Sequence, residues 1–233
     1  MREQLWSEAC LVSPSLISVC DFCNLERSVR ALEAAGVEML HVDILDGHFS
    51  PSMPLGLDTV RALRKITDLA FDVHLMATAH DYFVGELLDI GVQQLVFHAE
   101  CEQHIDNRLN QIHARGVRAG LALKPATPLS ALEYALEKCD AVLLMLINPG
   151  YASSRSEGQA PYAARKIKDL RAMIDARRLP TKIEIDGRIS RDDMAQFGRG
   201  DVDLFVAGST CLDKDDLRAS AESLLDFRRE ILL

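Results

Sequence analysis

Two histidines and two aspartates stand at the ends of apolar segments in three separate parts of the chain. His41 and Asp43 lie in "HVDILDGHFSP", His74 in "FDVHLM" and Asp186 in "KIEIDG". Imidazole and carboxylate groups are ligands for divalent cations such as Zn²⁺, Fe²⁺, Mn²⁺ or Co²⁺. A lone histidine near a strand end is more often a hydrogen-bonded structural residue. Four such residues on three strands favour a metal site, provided that the fold brings the three segments together.

Eight short apolar runs alternate with segments of helical periodicity, and these elements would position the four residues. Residues two apart on a strand share a face, so the side chains of His41 and Asp43 point the same way. The predicted strands are 10–14, 39–42, 71–75, 94–98, 119–123, 141–146, 182–185 and 204–207.

The segments between the strands have the spacing of amphipathic helices. "NLERSVRALEAAG" places Leu25, Val29 and Leu32 on one face, with Asn24 as a candidate N-cap and Gly36 as a C-terminal stop. "TPLSALEYALEKCD" and "RKIKDLRAMIDARR" predict two further helices with inward faces formed by Leu129, Leu132, Leu136 and Cys139, and by Ile167, Leu170 and Ile174.

This alternation predicts parallel βαβ units closed into a (β/α)8 barrel, an α/β fold with a single domain over residues 1–233. A doubly wound open sheet is disfavoured because no G-x-G-x-x-G follows a strand. Active sites of such barrels lie where the strands end. The polar residues and glycines at those ends are Ser15, His41, Asp43, His74, His98, Glu100, Lys124, Asn148, Asp186, Gly208 and Ser209.

Composition limits the partners. The chain has 233 residues, 48% of them hydrophobic, and a formal charge of -9, which argues against non-specific nucleic-acid binding. The longest apolar run, "AVLLMLI", is far shorter than the ~20 residues of a membrane span, and the N-terminus lacks the apolar core of a signal peptide. We therefore expect a cytoplasmic protein with no membrane partner. Its one C-x-x-C, Cys20 and Cys23, is better explained as a turn or helix start than as a redox pair.

The ordered motifs resemble those of the ribulose-phosphate 3-epimerase family, which also contains relatives such as D-allulose-6-phosphate 3-epimerase. The resemblance runs from about residue 11 to about residue 212. Its motifs are "LVSPSLISVCDF", "HVDILDGHFSP", "DVHLM", "KPATPL", "MLINPG", "EIDG" and "DLFVAGS". It implies a barrel enzyme with one divalent metal ion, no organic cofactor and a ketose phosphate as substrate. It also implies a homo-oligomer.

The resemblance also implies roles for individual residues. The family's four metal ligands fall on the two histidines and two aspartates named above, and Asp43 and Asp186 would be the acid and base on opposite faces of the sugar. The reaction implied is epimerisation at C3 through a cis-enediolate, with D-ribulose 5-phosphate and D-xylulose 5-phosphate as the first pair to consider. The predicted substrate-binding residues are Ser15, His74, Met76, Met145, Gly150, Gly187, Arg188, Gly208 and Ser209. Met76 and Met145 could equally be ordinary core residues.

Two loops depart from the family pattern. "NPGYASSRSEGQ" replaces "NPGFGGQ", and "DGRI" replaces "DGG", so some backbone donors to the phosphate are in doubt. Arg155 and Arg188 are candidate cationic substitutes; alternatively the substrate has a different length or its phosphate a different position. Leu45 and Ser52 replace the family's usual methionine and asparagine and alter the predicted pocket wall.

Five further polar residues lie near the predicted site without a predicted contact to the metal. Asp46 and His48 are expected to hold the loop after the second strand by hydrogen bonds rather than to bind metal. His98, Glu100 and Lys124 lie at the right end of their strands for a supporting shell, and their roles stay open.

Three other functions compete with the epimerase. A phosphosugar aldolase or decarboxylase on a similar barrel is disfavoured, because "DILDG" lacks the lysine of the D-x-K-x-x-D motif that the related decarboxylases and synthases use. A metal-dependent hydrolase could use the same cluster, but the motif order argues against it. A non-catalytic sugar-phosphate-binding protein would have no need of two acid/base carboxylates.

Overall fold

The computed structural model describes Trp6, residues 10–151, Ser154 and residues 156–233. Across these residues, eight parallel strands form one sheet in the order β1-β8-β7-β6-β5-β4-β3-β2, which confirms the (β/α)8 barrel. The strands are β1 Leu11–Pro14, β2 Met39–Leu45, β3 Ala70–Met76, β4 Gln94–His98, β5 Arg118–Leu123, β6 Ala141–Met145, β7 Lys182–Asp186 and β8 Leu204–Ala207.

The barrel closes between β1 and β2 through an isolated parallel bridge that joins Ser15 to His41. Next to this seam, the register of β2 on β3 sets His41 beside Asp72 and Asp43 beside His74. Sheet pairing therefore makes neighbours of residues that lie about thirty positions apart in the chain.

Helices cover the outside of the barrel. They are α1 Leu16–Val19, α2 Leu25–Ala34, α3 Leu57–Arg64, α4 His80–Ile90, α5 Ile105–His113, α6 Ala163–Arg177, α7 Arg191–Phe197 and α8 Leu217–Leu232. Asn24 occupies the N-cap position of α2 but its side chain makes no capping hydrogen bond. None of the helices in the described residues combines the length and the apolar character that crossing a membrane requires.

The predicted helix in "TPLSALEYALEKCD" is wrong. The segment forms two 3₁₀ turns, Leu129–Leu132 and Leu136–Lys138, whose amide groups bond three residues back. A 3₁₀ turn rises about 2.0 Å per residue against 1.5 Å in an α-helix, so it covers more length with few residues. The apolar spacing still predicts part of the buried face correctly, because Leu132, Leu136 and Cys139 are buried.

Strand alternation separates the two faces of the barrel wall. On β2, Leu40, Val42 and Ile44 join the core between strands and helices, which leaves His41 and Asp43 on the inner face. Each buried aliphatic side chain of that core contributes about 1.5–3 kcal/mol relative to an exposed one. A strand pattern that stabilises the outer core thus delivers polar side chains to the barrel interior.

The cysteines of the C-x-x-C lie in the turn between α1 and α2. Cys20 is buried, Cys23 is exposed, and both are free thiols. Burial raises the pKa of the Cys20 thiol to about 11, so it is protonated and unreactive at neutral pH. The structural interpretation of this motif is the better one.

Candidate active site

A cavity of about 350 Å³ opens at the carboxyl ends of the strands. Eight predicted substrate-binding residues line it, namely Ser15, Met76, Met145, Gly150, Gly187, Arg188, Gly208 and Ser209. Leu45 and Ser52 also lie in its wall, as expected from their departure from the family pattern. Arg155 and the Ala152-Ser153 pair lie outside the described residues.

The four predicted metal ligands converge at the base of this cavity. One ligand atom from each of His41, Asp43, His74 and Asp186 lies within 4.8 Å of the others. Asp43 Oδ1 is 3.3 Å from both His41 Nε2 and His74 Nδ1, and Asp186 Oδ2 is 3.8 Å from His74 Nδ1. Two nitrogens and two carboxylates thus face one point from β2, β3 and β7.

The unpartnered atoms at this point fit a cation. His41 Nε2 and His74 Nδ1 are buried and make no hydrogen bond within the described structure, although Asp43 is close to each. A buried polar atom without a partner costs about 1–3 kcal/mol, and a cation between these atoms would satisfy both. Mixed imidazole and carboxylate ligands suit Zn²⁺, Fe²⁺, Mn²⁺ and Co²⁺. The two histidines and two aspartates therefore fit a divalent metal ion of the kind that the sequence predicts.

A buried polar layer beneath the cluster orients His41. Its Nδ1 lies 2.9 Å from Asp72 Oδ2 and 3.3 Å from Glu184 Oε1. The Gln94 amide donates to both carboxylates, at 2.9 Å to Asp72 and 3.2 Å to Glu184. An ionised carboxylate only accepts hydrogen bonds, so the Asp72 contact holds a proton on Nδ1 and leaves Nε2 to face the cluster.

The two aspartates of the cluster have opposite pKa shifts. Burial raises the pKa of Asp186 to about 6, helped by the negative charge of Asp43. Burial acts the same way on Asp43, but His41 and His74 outweigh it and hold its pKa well below the usual range. One carboxyl group is thus easily protonated while the other stays ionised, which is the arrangement that acid/base pairs use.

Negative charge exceeds positive charge around His41. Burial alone would lower its pKa, yet Asp43 and Asp72 raise it well above the ordinary value. The same excess of carboxylates attracts a divalent cation, and a cation and a proton compete for the same imidazole nitrogen.

His74 contacts a second pair that sequence reasoning left open. Its Nε2 lies 3.0 Å from His98 Nε2, and His98 Nδ1 lies 3.0 Å from Glu100 Oε2. The backbone N–H of Lys124 donates to Glu100 Oε1 at 2.7 Å, while the Lys124 ammonium lies 4.1 Å from the centre of the Phe49 ring. Burial lowers the pKa of His98 to about 4, so its imidazole is neutral at neutral pH.

Asp46 organises the loop after β2. Its Oδ1 accepts from the backbone N–H groups of His48 and Phe49 at 2.9 and 2.8 Å, and its Oδ2 accepts from the N–H and hydroxyl of Thr78 at 2.7 and 2.9 Å. The His48 side chain is exposed. These contacts agree with a loop-holding role for Asp46, and His48 contributes only its backbone.

Backbone geometry at the far side of the cavity requires glycine at two positions. Gly150 has φ +83°, and an added Cβ would lie 2.1 Å from Ser50 Oγ; Gly187 has φ +119°, and its Cβ would lie 2.8 Å from Ile147 Cγ1. Arg188 follows in a left-handed conformation, φ +55°, and donates to the Ser154 carbonyl at 2.7 Å. The altered "DGRI" thus keeps a tight turn and places a guanidinium at the cavity wall.

Sequence reasoning missed several residues of the site. Ser18, Thr210 and Lys214 also line the cavity. Lys214 makes no ion pair with another described residue. Its position in the loop after β8 could have identified it from the sequence, since every loop at this end of a barrel can contribute to the active site. Asp72 and Glu184 were also missed; each stands two positions before a predicted ligand on the inner face of its strand.

Comparisons with known proteins agree with these observations. The family model described as "Ribulose-phosphate 3 epimerase family" matches residues 11–212. The chain is 36% identical over 225 residues to ribulose-phosphate 3-epimerase 1 of Cupriavidus necator, covering 94% of this chain and 91% of that protein. It is 34% identical over 209 residues to ribulose-phosphate 3-epimerase of Escherichia coli, covering 89% and 91%. The structure of 3-keto-L-gulonate-6-phosphate decarboxylase from Vibrio cholerae superposes with a TM-score of 0.70 at 10% identity, covering 96% of this chain and 99% of that one, which shows the shared fold alone.

Proposed function

Because the chain belongs to the ribulose-phosphate 3-epimerase family and is therefore an isomerase of carbohydrates, we propose that it inverts C3 of a ketose phosphate. The first substrate pair is D-ribulose 5-phosphate and D-xylulose 5-phosphate, as the names of its relatives suggest. The observation that carries this proposal is the pair of carboxyl groups, Asp43 and Asp186, with opposed pKa shifts beside one ligand cluster.

The reaction needs a proton removed from C3 and one returned to the opposite face. Asp43, the ionised carboxylate, takes the proton, and Asp186 in its protonated form donates from the other side; their roles exchange in the reverse direction. The Ser15 hydroxyl donates to Asp43 Oδ2 at 3.0 Å and orients that carboxylate. Met76 and Met145 line the cavity and would exclude water from the reacting carbon.

A divalent cation held by His41, Asp43, His74 and Asp186 would supply positive charge for the oxygen atoms that become negative as the C3 proton leaves. The two nitrogens without hydrogen-bond partners support this ligand set. The negative surplus around His41 is further support. No redox cofactor is needed, since no electron leaves the substrate.

The phosphate end of the cavity is where this chain differs from the family pattern. We propose that the turns containing Gly187, Gly208 and Ser209 contact the phosphate, with Arg188 and Lys214 supplying positive charge. The cavity volume lies within the usual range of about 300–1,000 Å³ for small-molecule sites. Allulose 6-phosphate is the second substrate to test, because the loops after β6 and β7 differ in sequence from the family pattern.

The deciding experiment is NMR of D-ribulose 5-phosphate in D₂O with metal-replete protein. We expect deuterium at C3 together with signals of xylulose 5-phosphate, at rates far above those with chelator-treated protein. Deuterium exchange and conversion of allulose 6-phosphate alone would correct the substrate. Sugar-phosphate binding with no exchange for either compound would reject the epimerase and favour a binding protein.

A further inference from the structure

A buried chain of hydrogen bonds leads from Glu100 through His98 to His74. His74 and His98 are both fully buried. Their Nε2 atoms lie 3.0 Å apart, so one proton lies between the two rings. A neutral imidazole carries its hydrogen on one nitrogen only. The tautomer of one histidine therefore fixes the tautomer of the other.

Glu100 determines which group donates and which accepts in each hydrogen bond of this series. Its Oε2 lies 3.0 Å from His98 Nδ1 and can only accept, so His98 carries its hydrogen on Nδ1 and has a lone pair on Nε2. His74 must then donate from Nε2, which leaves a lone pair on Nδ1. That Nδ1 is the atom facing Asp43 and Asp186, at 3.3 and 3.8 Å.

We infer that Glu100 and His98 are positioning residues that hold His74 in the tautomer able to bind a metal through Nδ1. The inference rests on the metal site of the proposed function. His98 and Glu100 touch neither substrate nor cation; they act through His74, as Asp72 acts through His41.

The contacts of Glu100 allow a sharp test with an isosteric substitution. Its Oε1 accepts from the backbone N–H of Lys124 at 2.7 Å and from the Thr127 hydroxyl. In Glu100→Gln the amide oxygen must stay on the Lys124 N–H, which can only donate, so the amide nitrogen faces His98 Nδ1. The amide then donates to His98, His98 donates to His74, and His74 carries its hydrogen on Nδ1. The substitution should reverse every bond in the chain without changing its shape.

The first measurement is long-range ¹H–¹⁵N NMR of the imidazoles in the metal-free full chain, at about pH 8, where an ordinary histidine is neutral. We expect His74 to carry its hydrogen on Nε2 in the parent and on Nδ1 in Glu100→Gln. The second measurement is titration with Co²⁺, followed by absorbance and by competition with a chelator. We expect Glu100→Gln to bind about 10–100-fold more weakly, the usual effect of losing such a supporting group.

Glu102→Gln is the matched control. Glu102 lies two residues after Glu100, accepts from His80 at 3.0 Å and is not part of the cluster. The Co²⁺ affinity of Glu102→Gln should therefore equal that of the parent. Glu100→Asp keeps an acceptor and should retain most of the affinity, and thermal melts will show that each variant is folded.

A hydrogen on His74 Nδ1 in the parent, or unchanged Co²⁺ affinity in a folded Glu100→Gln chain, would overturn the inference. A parent chain with the expected tautomer but no Co²⁺ binding would instead reject the metal site of the proposed function. The two failures are therefore distinguishable.

Discussion

Asp43 and Asp186 carry the same carboxyl group and differ only in what surrounds them. Asp43 lies 3.3 Å from both His41 Nε2 and His74 Nδ1, while Asp186, which is 20% exposed at the cavity, lies near the negative charge of Asp43. Burial raises the pKa of any carboxyl group, and nearby positive charge lowers it. The partners of each residue, rather than its own chemistry, set the direction of its pKa shift and so its role in the proposed reaction.

Replacing Asp186 by asparagine tests that assignment. Asp186→Asn keeps the size of the side chain but cannot transfer the proton, and acid/base groups contribute about 10²–10⁴ to rate. We expect kcat to fall about a thousandfold while affinity for the sugar phosphate stays within a few fold. C3 exchange in D₂O and calorimetric titration measure the two quantities.

Asp192→Asn, an exposed position six residues later, is the control and should keep full activity. Near-normal exchange by Asp186→Asn with metal bound would remove Asp186 from the mechanism.

At the scale of elements, the strands aim side chains and the loops fix their surroundings. On β2, apolar side chains pack outward against helices and alternate with the polar side chains that reach the cluster. The loops add backbone hydrogen bonds, as Asp46 does between the ends of β2 and β3.

The Asp46 contacts predict a pH-dependent stability. Although partial burial opposes it, the N–H donors of Phe49, Thr78 and His48 lower the pKa of Asp46 to about 2, against about 3.9 in an unfolded chain. A folded pKa below the unfolded one contributes stability that is complete above about pH 4 and is lost as the pH falls towards about 2.

Urea unfolding of the parent and Asp46→Asn should therefore differ most above about pH 4 and converge as the pH approaches about 2. Asp201→Asn, whose side chain makes no hydrogen bond in the described part of the chain, should show no such trend. A constant difference across this range would mean that the Asp46 charge does not hold the loop.

The turn after β6 depends on glycine at position 150. In Gly150→Ala the added Cβ would lie 2.1 Å from Ser50 Oγ and 2.4 Å from Ser50 Cβ, at a φ of +83°. We expect a loss of about 1–3 kcal/mol in the free energy of unfolding, measured by urea denaturation. Gly158→Ala in the same loop has no neighbour within 4 Å of the new Cβ and serves as the control. Equal stability of the two variants would show that the turn adapts.

At the scale of the whole molecule, the cluster joins distant parts of the chain. Its four residues come from β2, β3 and β7, and the polar layer beneath it links Gln94 to Glu184 across the barrel. A cation bound there would hold together strands that are far apart in sequence, and a ligand that binds only the folded chain stabilises it.

Metal removal should therefore lower the melting temperature. A metal at a thousandfold excess over its Kd contributes about 4 kcal/mol, and each kcal/mol corresponds to about 2–4 °C for a chain of this size. Calorimetry of metal-replete and chelator-treated protein should show a decrease of about 8–16 °C. Asp186→Asn should show a smaller decrease in melting temperature. Identical melting curves for the metal-replete and chelator-treated parent would contradict the proposed metal site.

The sequence by itself determined the barrel, the family and the four residues of the candidate metal cluster, because strand alternation and motif order are local properties that can be counted along the chain. Only the tertiary structure decided the hydrogen-bond partners of His41 and His74, the opposed pKa shifts of Asp43 and Asp186, and the 3₁₀ turns of residues 129–138. Those depend on contacts across the sheet, such as His74 with His98, and on the distance that a segment must cover. Burial and partner charge set protonation, and both exist only once the strands have closed into a barrel.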